Sequence, residues 1–165
     1  MASTLCVNNV TFLTSTSNHM HYGTSNAIDN LKIIPLEEGS KNAIQWYVLR
    51  GFKVVAVLVD IQFKCLKDRN KLRTPVNVVI RGEHVKQIER FHRMIDERVR
   101  WHFSMLPFNA LTTMMVVHLI ATVAFYSNAF AWMNVVSKFL LHLNIADGAA
   151  LDHHLHFRNA YGEFL

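Results

Sequence analysis

Phe52-Lys53-Val54-Val55-Ala56-Val57-Leu58-Val59-Asp60 is the stretch of this chain that decides its fold. Residues 54–59 form an unbroken apolar run, the pattern of a strand buried on both faces in a parallel or mixed central sheet. The run stops on an acid. Open α/β sheets bind ligands outside the carboxyl ends of their strands, so Asp60 stands where chemistry is expected. Further on, residues 83–100 have helical periodicity, with Val85, Ile88, Phe91, Ile95 and Val99 on one apolar stripe. Glu89 falls at the border of that stripe, beside Arg93, Asp96 and Arg100, where a side chain can reach a cleft while its helix stays docked. Two acids so placed suit a hard cation. Taken alone, Glu89 and Arg93 are more simply an exposed i, i+4 ion pair.

The flanking sequence completes an α/β reading. Residues 5–14 are strand-like around an Asn8-Asn9 turn, and residues 19–22 and 28–34 are weaker strands, which together make an antiparallel meander. Ser40 is the expected N-cap of a helix over residues 41–50, and Gly51 its left-handed C-cap residue. Residues 64–73 read as a basic loop, and Pro75 precedes a strand over residues 76–80. Between Trp101 and Ser137 there is no Asp, Glu, Lys or Arg. Within it, residues 110–126 are almost entirely apolar, short of the roughly 20 residues that a membrane span needs. A buried helix is the expectation, with Met114 and Met115 as core filler.

Composition narrows the class. The 165 residues are 51% hydrophobic and 18% charged, which suits one domain with a real core and excludes a disordered chain. Cys6 and Cys65 are too few for a disulfide framework or a thiolate zinc site, so a reducing, intracellular compartment is expected. No basic region followed by an apolar run opens the chain, so no secretory signal is read. The net charge of +5 is uneven: fourteen of the seventeen bases and six of the twelve acids lie in residues 41–100. Such a field attracts polyanions, although charge alone is more simply explained by a solvated helix face and a soluble loop. The candidate phosphate contacts are Lys64, Lys67, Arg69, Lys71, Arg73, Lys86, Arg90 and Arg93. The Asp152-His153-His154-Leu155-His156 tract has no second cluster at ligand spacing and is read as a loop that binds no metal.

A set of short blocks then carries a family resemblance. Arg50-Gly51-Phe52-Lys53-Val54, Leu58-Val59-Asp60-Ile61-Gln62-Phe63, Asn77-Val78-Val79, Glu83-His84-Val85 and Glu89-Arg90 with Arg93 resemble the integrase core of a copia-type retrotransposon polyprotein. Val7-Asn8, Tyr22-Gly23-Thr24, Leu106-Pro107-Phe108, Asn128-Ala129-Phe130 and Tyr161-Gly162-Glu163-Phe164 extend it over nearly the whole chain. The resemblance implies a ribonuclease-H-like fold, with an integrase-core-like domain over residues 1–130 and an extension over residues 131–165. It also implies an Asp, Asp, Glu triad that holds Mg²⁺ or Mn²⁺ and joins DNA ends, DNA as partner, a nuclear setting and homo-oligomers, with a membrane association not expected. Asp60 matches the second aspartate, and Glu89, in the Glu-Arg-x-x-Arg pattern, matches the glutamate. The first aspartate stands about four residues before the Val-Asn pair, and that place is Ser3. The zinc-binding His/Cys quartet of full integrases is absent as well. The resemblance therefore implies a truncated, degenerate core that keeps nucleic-acid affinity and has lost activity, the alternatives being an active metal-dependent nuclease or transferase and a small membrane-anchored protein.

Overall fold

The computed structural model describes residues 1–69, 72, 74–79, 86–107, 109–130, 144, 148 and 152, the side chains of residues 68 and 69 excepted. Strands β1 (Ala2–Val7), β2 (Val10–Thr16) and β3 (Gly23–Ile28) form an antiparallel meander. Asn8 and Asn9 both adopt positive φ (47° and 63°), the two-residue turn whose twist matches the flanking strands. β4 (Val57–Val59) and β5 (Val76–Val78) then add in parallel, giving one five-stranded mixed sheet in the order β3-β2-β1-β4-β5.

Strand alternation sends Phe12 to one face and Leu13 to the other, and each face acquires its own core. Leu5 and Phe12 pack with Ile88, Phe91 and Ile95 of α3 (Lys86–Met105) and with Val116, Leu119, Ile120 and Val123 of α4 (Thr113–Ala129). Ala2, Leu13 and Val59 pack with Leu36 of α1 (Ile33–Leu49) and with Phe63, Leu66, Leu72 and Val76. Leu66 belongs to α2 (Lys64–Arg69). A third, smaller cluster joins Met20, Tyr22 and Ala129, flanked by Trp46 and Tyr47. In it Trp46 stacks on Tyr22 at 4.6 Å.

Several details depart from the sequence reading. α1 begins at Ile33, eight residues before the expected start, and its N-cap is Lys32. Ser40 is therefore no cap: it lies inside the helix, buried at 6% exposure. The end of the helix is as expected. Gly51 has φ +82°, its N–H bonds Val48 O, and the Phe52 N–H reaches back to Tyr47 O, the paired closure that a left-handed glycine permits. Residues 19–22 form a turn rather than a strand, and β3 starts at Gly23. Within the basic loop expected over residues 64–73, residues 64–69 instead form α2, preceded by a short 3₁₀ turn (Ile61–Phe63), because Phe63 and Leu66 recur at helical spacing and are buried. The run 54–59 is buried on both faces only near its end: Val59 is 2% exposed and Val55 72%.

α4 is capped by Thr112, whose hydroxyl accepts from Met115 N–H. Leu119 is 1% exposed, as a buried helix requires. Met114, expected in the core, points outward at 64% exposure because it precedes the stripe set by Val116, Leu119, Ile120 and Val123. No helix among the described residues is long and apolar enough to cross a membrane. Residues 131–165, read as an extension, lie outside the described residues apart from Asn144, Gly148 and Asp152, and so do His153, His154 and His156.

α4 is fixed to the edge of the meander by one side chain. Asn128 accepts from Gly23 N–H through Oδ1 (2.9 Å) and donates through Nδ2 to Gly23 O (2.7 Å). A Cβ on Gly23 would stand 2.3 Å from the Phe91 ring, so only glycine lets β3 pass this close to α3. Asn128→Ala leaves both main-chain groups of Gly23 unpaired and is expected to cost about 2–3 kcal/mol, read as a lowered urea midpoint at unchanged slope.

Candidate functional site

The parallel pair Ala2↔Val59 sets Ser3 level with Asp60, the first residue beyond β4. The Ser3 hydroxyl donates to Asp60 Oδ2. Ser3 is buried and Asp60 half-buried. Thr14, fully buried on β2, donates from Oγ1 to Ser3 O (3.0 Å) and contacts His92 Nε2 on α3 (2.5 Å). A hydroxyl has one proton, and Ser3 O takes it, so Nε2–H of His92 is the donor in the second contact. A chain of four polar groups thus links α3, β2, β1 and the end of β4.

His92 also locates the acids of α3. Burial holds its pKa below the usual imidazole value, against the upward pull of Asp60, Asp96 and Glu89. Three carboxylates therefore act on one ring that stays largely neutral. Glu89 itself is exposed, at the border of the stripe formed by Ile88, Phe91 and Ile95. His92 lies three residues after it, on the same flank of the helix. Sequence reasoning passed over His92 and Thr14. His92 was legible in part, as the i+3 neighbour of a candidate acid; Thr14 was not, since its role depends on which face of β2 looks toward α3.

Of the candidate nucleic-acid contacts, Lys64 and Lys67 are exposed and one turn apart on α2, while Lys86, Arg90 and Arg93 are exposed on α3 at spacings of four and three, which makes one row. Arg69 ends α2, its side chain outside the described residues, as are Lys71 and Arg73.

Mg²⁺ takes oxygen ligands and commonly only one or two carboxylates, with water and substrate phosphate completing its shell. Asp60 and Glu89 have that chemistry for a single ion. Two ions about 3.5–4 Å apart repel strongly and need several carboxylates between them, and the neutral, already bonded Ser3 hydroxyl is a poor substitute. Among the described residues no three His, Cys, Asp or Glu side chains gather closely enough to hold a metal. With Ser3 in the place of a third carboxylate, the donor set does not fit a two-ion centre.

No protein-family model matches the chain, and no curated protein matches it in sequence. Solved structures do match in fold. The catalytic core domain of BIV integrase superimposes with a TM-score of 0.65 at 13% identity, over 89% of this chain and 91% of that one. The simian T-cell lymphotropic virus intasome, solved with the PP2A regulatory subunit B56 gamma, gives 0.63 at 10% identity, over 92% of this chain and 54% of its own. The HTLV-2 integrase catalytic core domain, in complex with magnesium and in a trimeric form, gives 0.57 at 11% identity, over 88% and 92%. The architecture is thus the ribonuclease-H-like fold of integrase catalytic cores. The expectation of a mixed sheet with an antiparallel meander leading into parallel strands holds.

The His92 environment sets a pH dependence. Its folded pKa lies below the 6.5 of a free imidazole, so between the two values the unfolded chain binds more protons than the folded one. The stability contribution is present above about pH 6.5 and is lost as pH falls through the folded value. Urea midpoints from pH 8 to pH 5 are expected to decline below about pH 6.5, and His92→Gln, which keeps an N–H for Thr14, should flatten that decline.

Proposed function

We propose that the protein is a copia-type retrotransposon integrase core in which Ser3 occupies the place of the first catalytic aspartate, so that it binds DNA without joining it. The observation that carries this reading is the Ser3–Asp60 hydrogen bond: the residue matching the lost aspartate sits beside the residue matching the second one, within one polar chain that also reaches α3. In the family chemistry, divalent ions activate the attacking oxygen of a phosphoryl transfer and stabilise the leaving one. Here Asp60 and Glu89 are the residues that would hold an ion, and Ser3 withholds the charge a second one needs. Asp60, with its Oδ2 accepting from Ser3, is held as a ligand with part of its capacity already used. The exposed cations of α2 and α3 supply affinity for the phosphate backbone, which does not depend on the metal centre. The nuclear setting, the DNA partner and self-association come with this reading; the integrases it resembles were solved as an intasome and as a trimeric core.

Two experiments test it. Purified protein with either Mg²⁺ or Mn²⁺ is expected to show no DNA nicking or joining above background. Ser3→Asp is expected to raise the Tm in Mn²⁺ relative to EDTA, by several degrees where the metal is about 100-fold above its Kd, while the unaltered protein shifts little. Metal-dependent cutting by the unaltered protein that Asp60→Asn abolishes would identify it instead as an active nuclease or transferase.

Binding to a labelled duplex should be independent of sequence and steep in salt. With four to six phosphates contacted, affinity should fall by roughly two orders of magnitude or more between about 50 and 200 mM salt. Lys64→Ala with Lys67→Ala should reduce the log–log slope by about two. No binding at the lower salt would remove DNA from its partners.

A further inference from the structure

α3 and α4 meet along a row of aromatic rings. The Trp101 and His102 rings lie at right angles 4.9 Å apart, His102 is 6.0 Å from Tyr126 of α4, and Tyr126 is 6.3 Å from Phe130. Trp101 is 56% exposed and Phe130 47%. A T-shaped neighbour covers at most one face of an indole, so Trp101 keeps a flat apolar face in water.

Arg98 stands one helical turn before both Trp101 and His102. It lies five residues after Arg93, about 140° further round the helix, on the side toward α4. Its Nη1–H donates to Ser127 Oγ (3.4 Å), which accepts because its own proton goes to Val123 O (2.6 Å). That bond is long, and among the described residues the guanidinium has no other hydrogen bond and no carboxylate within ion-pair distance. Glu97, its neighbour in sequence, is exposed between Arg93 and Arg100 at helical spacings of four and three. Burial pulls the Arg98 guanidinium below its ordinary pKa, and burial, with Arg98 nearby, does the same to the His102 imidazole. A half-buried arginine against α4 costs more than an aliphatic residue there unless an oxyanion completes it.

We propose that Trp101 and Arg98, with His102 and Tyr126 beside them, bind an unpaired nucleotide of a nucleic-acid strand. The base stacks on the open face of Trp101, and the guanidinium of Arg98 takes the phosphate. Side chains one turn apart have Cβ atoms about 5–6 Å from one another, the order of the distance from a base to its own phosphate. A flat ring with a cation beside it is the recurring form of a single-strand site, tolerant of sequence because every base has a π face. The interior of a duplex cannot use it, since its bases are stacked on one another. An aliphatic peptide side chain gains little on a flat exposed ring, because anchors of that kind need a pocket. The inference rests on the nucleic-acid reading above for the class of ligand, and uses none of Lys64, Lys67, Lys86, Arg90 or Arg93.

The test is fluorescence anisotropy of the full chain with a labelled oligothymidylate about eight nucleotides long, within the span of one single-strand site. Trp101→Ala is expected to weaken its binding by about tenfold, and Trp101→Phe should keep most of the affinity. An abasic strand of equal length should bind the unaltered protein at the weakened level. Arg98→Gln should weaken both strands, because both carry the phosphates. Urea midpoints report that the variants fold, and Trp101→Ala, a surface change, keeps the test independent of any loss of stability in Arg98→Gln. Equal affinity of Trp101→Ala and the unaltered protein for the oligothymidylate would overturn the proposal, as would equal affinity of the unaltered protein for the two strands. Full displacement of the strand by dTMP at about 1 mM would overturn the strand as ligand and assign the site to a free nucleotide. Duplex binding through Lys64 and Lys67 is read separately: its absence would remove that reading and leave Trp101-dependent binding of the strand standing.

Discussion

The single parallel rung between Ala2 and Val59 is the contact on which the remaining arrangement depends. On one side of it lies a meander made from local turns; on the other, two short parallel strands that reach the sheet through helical crossovers. Antiparallel neighbours need only tight turns, whereas parallel neighbours need long connections, so the rung is where local folding meets long-range folding. It also sets the chemistry. By aligning β1 with the end of β4 it brings residues 57 apart in sequence into hydrogen-bonding contact, Ser3 with Asp60. The two cores lie on opposite faces of this line, which holds the pair against lateral displacement.

Around that pair, electrostatics and burial act in opposite senses. Three carboxylates favour a charged His92, and desolvation of the ring prevails. A neutral imidazole giving Nε2–H to Thr14 keeps the buried polar chain satisfied without adding charge to the interior. A charged partner there would partly neutralise Asp60, the acid at the end of β4. The polar chain orients β1, β2 and α3 relative to one another through groups that carry no net charge except at the half-buried carboxylate end.

How much of this was legible in the sequence follows from how local each signal was. Asn8-Asn9 specified a two-residue turn, and Gly51 a left-handed helix end, because both effects are decided within four residues. The stripe of α3 was legible because its period repeats. Ser40 misled because a capping residue is also tolerated inside a helix once packing decides, and α1 gains Leu36 in the core by starting early. Residues 64–73 were read as loop from their charge, though residues 64–69 form α2, where the burial of Leu66 beside Phe63 outweighs it. For the candidate site, pattern and family resemblance pointed to Asp60 and Glu89, and counting from Val7-Asn8 pointed to Ser3, whose hydroxyl the fold brings to Asp60. Thr14 was not, since no one-dimensional signal tells a buried threonine that fills space from one that bridges three elements.

The Asn128–Gly23 clasp sets an order of events during synthesis. An amide side chain offering one donor and one acceptor to a strand residue does what a neighbouring strand would do, and it closes that point of the β3 edge. The two residues are 105 apart in the chain. The meander can fold as soon as its three strands emerge, but its edge stays open until the end of α4 is made, roughly 5 to 20 s later at ordinary rates of translation. Until the part of the chain carrying Phe91 and its neighbours is made, nothing from α3 covers Phe12, and the nascent sheet presents both an open edge and an apolar face. The protein's most exposed moment to mispairing thus belongs to its biogenesis, and the length of that moment is set by how far along the chain the clasp was placed.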